Sequence, residues 1–143
     1  MVTDASLWVN YFLRQNRFHE ESVAWVDHRL QEGLPMVAPA LLLAEVGGAI
    51  SRGTGSLGAG RRAVNSLLHW PLLEIVSWEG EGLEAALLAC DLGLRGADAY
   101  YVLVAHRRSL PLISWDDDQR ERARAVVPVG CPGEPLRWPG AER

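Results

Sequence analysis

Short apolar runs of strand character alternate with amphipathic helical stretches along almost the whole chain, and this order limits the fold more than any other feature. Strands that alternate with helices pair as a parallel sheet joined by right-handed crossovers. Strand signals come from Val2-Thr3, Met36-Val37, Leu73-Glu74-Ile75-Val76, Pro111 to Trp115, and Val126 to Val129, the last marked as an edge by Pro128. Between them, Leu7, Trp8, Tyr11 and Phe12 recur at helical spacing, and His19 to Gln31 reads as a helix broken by Gly33 and Pro35. Pro39 suits the first turn of a helix running to about Arg52, followed by a turn at Gly53-Thr54-Gly55-Ser56. A further helix carries Leu57, Val64, Leu67 and Leu68 on one side and is closed by Pro71. Helices also span about 79–92, stopped by Gly93, and about 97–108, where His106, Arg107 and Arg108 complement the negative end of the dipole. A short one covers 116–124. The pattern predicts an α/β fold in three layers, with a mainly parallel sheet of four or five strands and helices on both faces.

At 143 residues the chain suits one domain, which buries roughly 70% of the surface its unfolded form exposes. We place that domain at 1–129. From 130 to 143 the sequence is rich in proline and glycine and predicts an extended tail, with Trp138 its one anchor. No apolar run approaches the roughly 18 residues needed to span a bilayer, and Met1-Val2-Thr3-Asp4 lacks the features of a signal peptide, so a soluble, cytoplasmic protein is expected. Cys90 lies on the apolar stripe Leu83, Ala86, Leu87, Cys90 and reads as a core residue; neither cysteine suggests a disulfide. The net charge of −4 argues against nonspecific coating of nucleic acid, which is driven by a basic surface. All 14 basic residues are arginine, and any polyanionic substrate needs cations or local arginines to offset the repulsion.

Four carboxylates stand out by where they fall. Glu45 shares a helix face with Leu41, Leu42 and Ala49, and Asp98 shares one with Tyr101, Val102 and Ala105, so both are directed at the core. Asp4 and Asp116 each end an apolar strand, at the carboxyl edge where open α/β sheets bind ligands. Two unit charges about 4 Å apart repel by about 4 kcal/mol at an effective dielectric near 20, so such a group must protonate or bind cations. Carboxylate oxygens are the donors Mg²⁺ prefers, and no His or Cys cluster offers a rival site. Each acid also has a plainer role. Asp4 and Asp116 suit helix N-caps, Glu45 could pair with Arg52, and Asp98 is favoured in a first helical turn. Asp117 and Asp118 read as first-turn acids, with Asp118 a possible addition to the site. Ser6 and Ser114, each two residues from an acid, are placed either to support Asp4 and Asp116 or to make ordinary turn hydrogen bonds.

Val2-Thr3-Asp4-Ala5-Ser6, Pro39 to Val46, Leu94 to Tyr101 and Pro111 to Asp116, in that order over residues 1 to 125, resemble the PIN-domain nucleases, in particular the VapC-type toxins of toxin–antitoxin pairs. The resemblance implies that Asp4, Glu45, Asp98 and Asp116 are the catalytic, metal-holding acids and that Ser6 and Ser114 are the small hydroxyl positions beside them. It implies Mg²⁺ (or Mn²⁺) as cofactor, an RNA substrate, a homodimer, and a small antitoxin protein that blocks the site. The expected chemistry is metal-assisted phosphodiester hydrolysis leaving a 5′-phosphate and a 3′-hydroxyl. Arg14, Arg17, Arg52 and Arg95 lie near the acids in sequence and are candidates to hold the RNA backbone. The alternatives are a PIN-type nuclease of RNA processing or decay without a toxin role, and an inactive PIN-like interaction module whose dimer surface is the aromatic helix around Trp8, Tyr11 and Phe12. An aspartyl-phosphate phosphotransferase is disfavoured because the chain has no lysine.

Overall fold

The structure, a computed structural model, describes residues 1 to 140. Five strands, β1 (Val2–Thr3), β2 (Met36–Pro39), β3 (Leu73–Val76), β4 (Leu112–Ile113) and β5 (Val129–Gly130), form one all-parallel sheet in the order β3-β2-β1-β4-β5. Seven helices flank it: α1 (Ala5–Phe12), α2 (His19–Gln31), α3 (Leu41–Thr54), α4 (Leu57–Leu68), α5 (Glu81–Leu92), α6 (Gly96–Arg108) and α7 (Asp117–Ala123). The result is the three-layer α/β/α arrangement predicted by the alternating pattern. Among the described residues no helix is long and apolar enough to cross a membrane.

Every residue of β1, β2, β4 and β5 is buried, as expected for a parallel sheet covered on both faces. Val2, Met36, Leu112 and Val129 from the sheet meet Leu7, Trp8, Leu42, Val46 and Val102 from the helices in a single core. α3 and α4 cross closely because Gly60 faces Gly47. A Cβ at Gly60 would stand 2.6 Å from the Gly47 carbonyl oxygen and 2.0 Å from Ser51 Oγ.

Several boundaries differ from the sequence reading. Pro39 closes β2 instead of opening a helix, paired in register with Val76, and α3 continues past Arg52 to Thr54, where Gly55 takes the left-handed conformation (φ 65°). The first half of the expected turn at 53–56 is therefore helix, and Gly55 and Ser56 alone separate α3 from α4. β4 keeps only two of the five residues expected of it, because Ser114 to Asp116 turn away to build the site described below.

The apolar stripe on α5 faces outward: Leu83 is 68% and Leu87 59% exposed, and Cys90 is exposed rather than in the core. This helix carries two stripes of equal spacing, and it is the other, Ala85, Leu88, Ala89 and Leu92, that packs inward. On α4, likewise, Leu67 is buried while Leu57 and Leu68 are exposed. The aromatic side of α1 is not a free surface. Trp8 is fully buried, and Trp8, Tyr11 and Phe12 each meet Trp70 edge to face with centroids 5.0 to 6.5 Å apart. Beyond β5 the chain turns back. The backbone of Arg137 exchanges two hydrogen bonds with Val129, at 2.9 and 2.7 Å, and Cys131 is buried, whereas Trp138, expected as the anchor, is 59% exposed. Residues 141–143, the end of the expected tail, lie outside the described residues.

Candidate active site

After β1 the chain winds outward through β2 and β3, then returns to place β4 on the opposite side of β1. The winding reverses between β1 and β4, and the crevice at their carboxyl ends is where a doubly wound sheet offers a ligand site. Asp4 directly follows β1, and its amide donates to the Ile113 carbonyl at the end of β4 (3.2 Å).

Asp4 is 5% exposed and caps α1: Oδ1 accepts from the amides of Ser6 (3.1 Å) and Leu7 (3.4 Å) and from Ser6 Oγ (2.6 Å). Ser114 Oγ donates to its other oxygen at 2.8 Å. The same two hydroxyls then accept from the next segment, Ser6 Oγ from the Trp115 amide (2.8 Å) and Ser114 Oγ from the Asp116 amide (2.9 Å). Ser6 and Ser114 therefore tie Asp4 to the loop that carries Asp116, beyond any local turn bond. Trp115 is fixed from its far side by a 2.8 Å bond from its indole N–H to Ser22 and by face-to-face stacking on Phe18, centroids 4.1 Å apart.

Asp116 caps α7 with Oδ1, which accepts from the Gln119 amide at 3.0 Å, and this leaves Oδ2 free to face the crevice. There the guanidinium of Arg95, at the start of α6, donates to it. Arg95 Nε donates in turn to Asp98 Oδ2 at 2.8 Å. Asp98 is turned inward, its side chain 13% exposed. Glu45, half-buried on α3, accepts from the hydroxyl of Tyr101 and not from Arg52. Asp118 pairs with Arg122 across one turn of α7; Asp98 feels its charge, and its backbone amide helps to hold Asp116 ionised.

Burial dominates the protonation of this group. It pushes Asp4 up to about 7 against the pull of Ser6 and Ser114, with the charge of Asp98 adding to the rise. Burial also raises Glu45, which Tyr101 partly counters, and raises Asp98 in spite of Arg95, because one exposed guanidinium does not offset burial among neighbouring acids. Asp116 moves the other way: burial disfavours its charge, but the Gln119 amide and Arg95 outweigh that and hold it below the ordinary range. Tyr101 is held far above its usual range, first by burial, then by the charges of Glu45, Asp4 and Asp98. It thus lies within reach of three of the four acids.

The four acids, from four separate stretches, are therefore linked through Asp98, whose charge raises Asp4 and Glu45 and which is itself raised by Asp116. Their chemistry suits a hard divalent cation such as Mg²⁺ or Mn²⁺, which takes carboxylate oxygens and relieves this repulsion. Among the described residues no three His, Cys, Asp or Glu side chains are grouped closely enough to ligate one ion as they stand. Like charges hold apart, and Arg95 occupies the space between two of them.

The sequence matches the PIN domain over residues 1–125, a span that contains all four acids and most of the sheet. The chain belongs to the PIN-domain family. Solved structures share the fold at low identity. VapC20 from Mycobacterium tuberculosis, a sarcin-ricin loop cleaving toxin, aligns over 82% of this chain and 91% of its own at 18% identity and a TM-score of 0.64. VapBC2 from Rickettsia felis, bound to a DNA fragment from its promoter, aligns over 91% and 96% at 12% identity and 0.67. FitAcB from Neisseria gonorrhoeae aligns over 92% and 96% at 19% identity and 0.62. No curated protein matches the chain in sequence.

Two residues of this PIN-domain site carry more than their sequence context showed. Tyr101 stood out only as an inward neighbour of Asp98; its hydroxyl, three residues on, was the available signal for a partner to Glu45. Arg95 was one of four arginines near the acids, and it alone of the four bonds to them.

Proposed function

We propose that this PIN-domain protein is a metal-dependent endoribonuclease and the toxin of a VapBC-like toxin–antitoxin pair. The observation that supports the reading is Asp4 at the end of β1, buried beneath two serine hydroxyls and within the charge of Asp98, which shares Arg95 with Asp116. A carboxylate buried among acids is unstable unless it protonates or a cation joins it, which favours uptake of a divalent cation by these acids above about pH 7.

Asp4, Asp98 and Asp116, with Glu45 at the side, are the residues that would hold Mg²⁺ or Mn²⁺. When bound, the ion neutralises phosphate charge and lowers the pKa of water. The remaining chemistry belongs to the chain. Ser6 and Ser114 fix both oxygens of Asp4, and the α7 cap fixes one oxygen of Asp116, so these acids are presented without rotamer search. Glu45, oriented by Tyr101, is the acceptor that takes a proton from the attacking water. In-line attack of the water oxygen on phosphorus breaks the P–O3′ bond, and the departing 3′-oxygen takes a proton from solvent, leaving a 5′-phosphate and a 3′-hydroxyl.

VapC20 supports an RNA substrate by its likeness in fold and its stated activity. The VapBC2 and FitAcB structures support a small antitoxin as partner. A second copy of this chain is the partner we assign to the exposed apolar face of α5. The deciding experiment is hydrolysis of an end-labelled RNA by the purified protein with and without Mg²⁺. Asp98→Asn is expected to lower the rate at least a hundredfold while the thermal transition stays cooperative. Full activity in that folded variant would remove the assignment.

A further inference from the structure

Among the described residues Arg95 is the one basic side chain bonded to the four acids, and it does so in an unusual way. Its backbone is fixed: the Arg95 carbonyl accepts from the Ala99 amide at 3.1 Å as α6 begins, and the preceding Leu94 is buried. Its side chain is 66% exposed and rests only on acids. Nε takes Asp98 Oδ2 and one terminal nitrogen takes Asp116 Oδ2, so a single guanidinium bridges two carboxylates from different elements.

Asp116 Oδ1 is committed to the cap of α7 and both oxygens of Asp4 accept from serine hydroxyls, so a cation that joins Asp98 and Asp116 would draw on the two Oδ2 atoms that Arg95 holds, beside Asp98 Oδ1 and the second oxygen of Glu45. The guanidinium and a divalent ion compete for the same atoms. An exposed ion pair of this kind is weak and a long side chain leaves it at little cost, so the ion wins when abundant. The released guanidinium is then tethered beside the crevice by one turn of helix, with the planar fork that matches phosphate oxygens.

We propose that Arg95 is a built-in counter-ion that competes with the divalent cation for Asp98 and Asp116 and, once displaced, positions the phosphate of the substrate. The first half stands on the geometry alone; the second rests on the nuclease reading.

Calorimetric titration of the whole protein with Mn²⁺ separates the two. Arg95→Gln is expected to tighten Mn²⁺ binding roughly tenfold, since two weak ion pairs no longer have to be broken, and Arg95→Lys is expected to lie close to the original chain. Binding by Arg95→Gln that is equal or weaker overturns the competition. In chelator, Arg95→Gln is expected to melt below the original chain and to regain the difference when Mn²⁺ is added. A purely structural arginine would give a deficit that Mn²⁺ does not repair, which again overturns it. At saturating Mn²⁺, Arg95→Gln is expected to raise KM for an RNA oligonucleotide about tenfold with kcat changed less than threefold, and Arg95→Lys to recover most of the loss. An unchanged KM refutes the phosphate role. Absence of any RNA cleavage by the original chain refutes the nuclease reading and the phosphate role with it, and the Mn²⁺ titration still decides the competition.

Discussion

Asp4 couples the site to the stability of the protein. Burial lifts its pKa from an ordinary 3.8 to about 7, so the folded state holds this proton more tightly than the unfolded chain. The stability it contributes is complete below about pH 4 and is lost as pH rises through about 7, a loss on the order of 4 kcal/mol at most. Glu45 and Asp98 shift in the same direction and deepen the effect. In chelator the melting temperature is therefore expected to fall between pH 5 and pH 8. Asp4→Asn flattens that slope, and millimolar Mg²⁺ restores the original protein at pH 8. A melting temperature that rises over this interval, or a slope that Asp4→Asn leaves intact, would show that Asp4 is ionised in the fold without help. The placement of the four acids in the fold was legible from spacing, because an acid on an apolar helix face or at the end of an apolar strand is visible in one dimension. Their partners were less so. Glu45 has Arg52 seven residues away on the same helix but chooses Tyr101, 56 residues on, whose proximity depends on how α3 and α6 pack.

Whole elements were read correctly where one face alone is apolar or one residue sets the end, as in α2 and at Gly93 after α5. They were misread where two solutions satisfy the same periodicity. On α5 the stripe Ala85, Leu88, Ala89, Leu92 and the stripe Leu83, Ala86, Leu87, Cys90 have identical spacing, and only the position of α6 selects the first. The unselected stripe leaves two leucines open to water, at 68% and 59% exposure. On the proposed pairing with a second copy, this face would supply the apolar centre of a twofold contact, in which the same patch serves both partners. Light scattering is expected to give a dimer for the original chain and a monomer for the variant carrying Leu83→Glu and Leu87→Glu. The melting temperature of that variant, extrapolated to low concentration, should match the original within a few degrees, because neither leucine belongs to the core. A dimer that survives both glutamates places the contact elsewhere.

At the scale of the molecule, an acidic chain must hold a polyanion. The net charge is −4, and among the described residues eight ion pairs engage seven arginines, which leaves little unpaired basic surface for a polyanion. On the proposed function the topology compensates by concentration at one point: the winding reverses between β1 and β4, and a divalent cation and one displaced arginine beside Asp98 and Asp116 would carry the attraction. This predicts how catalysis responds to salt. Each phosphate neutralised on a single strand contributes roughly −0.7 to the slope of log affinity against log salt, so a protein that binds through a wide basic surface shows a slope of many units. Here one guanidinium is the main contact of that kind. With Mn²⁺ saturating and constant, log kcat/KM for an RNA oligonucleotide is expected to fall with log[KCl] at a slope of about −1, and Arg95→Gln to reduce its magnitude by roughly 0.7. A slope several times steeper, unchanged by Arg95→Gln, would mean that RNA is gripped over a surface spread across many arginines, and the crevice would then be where the strand is cut but not where it is held.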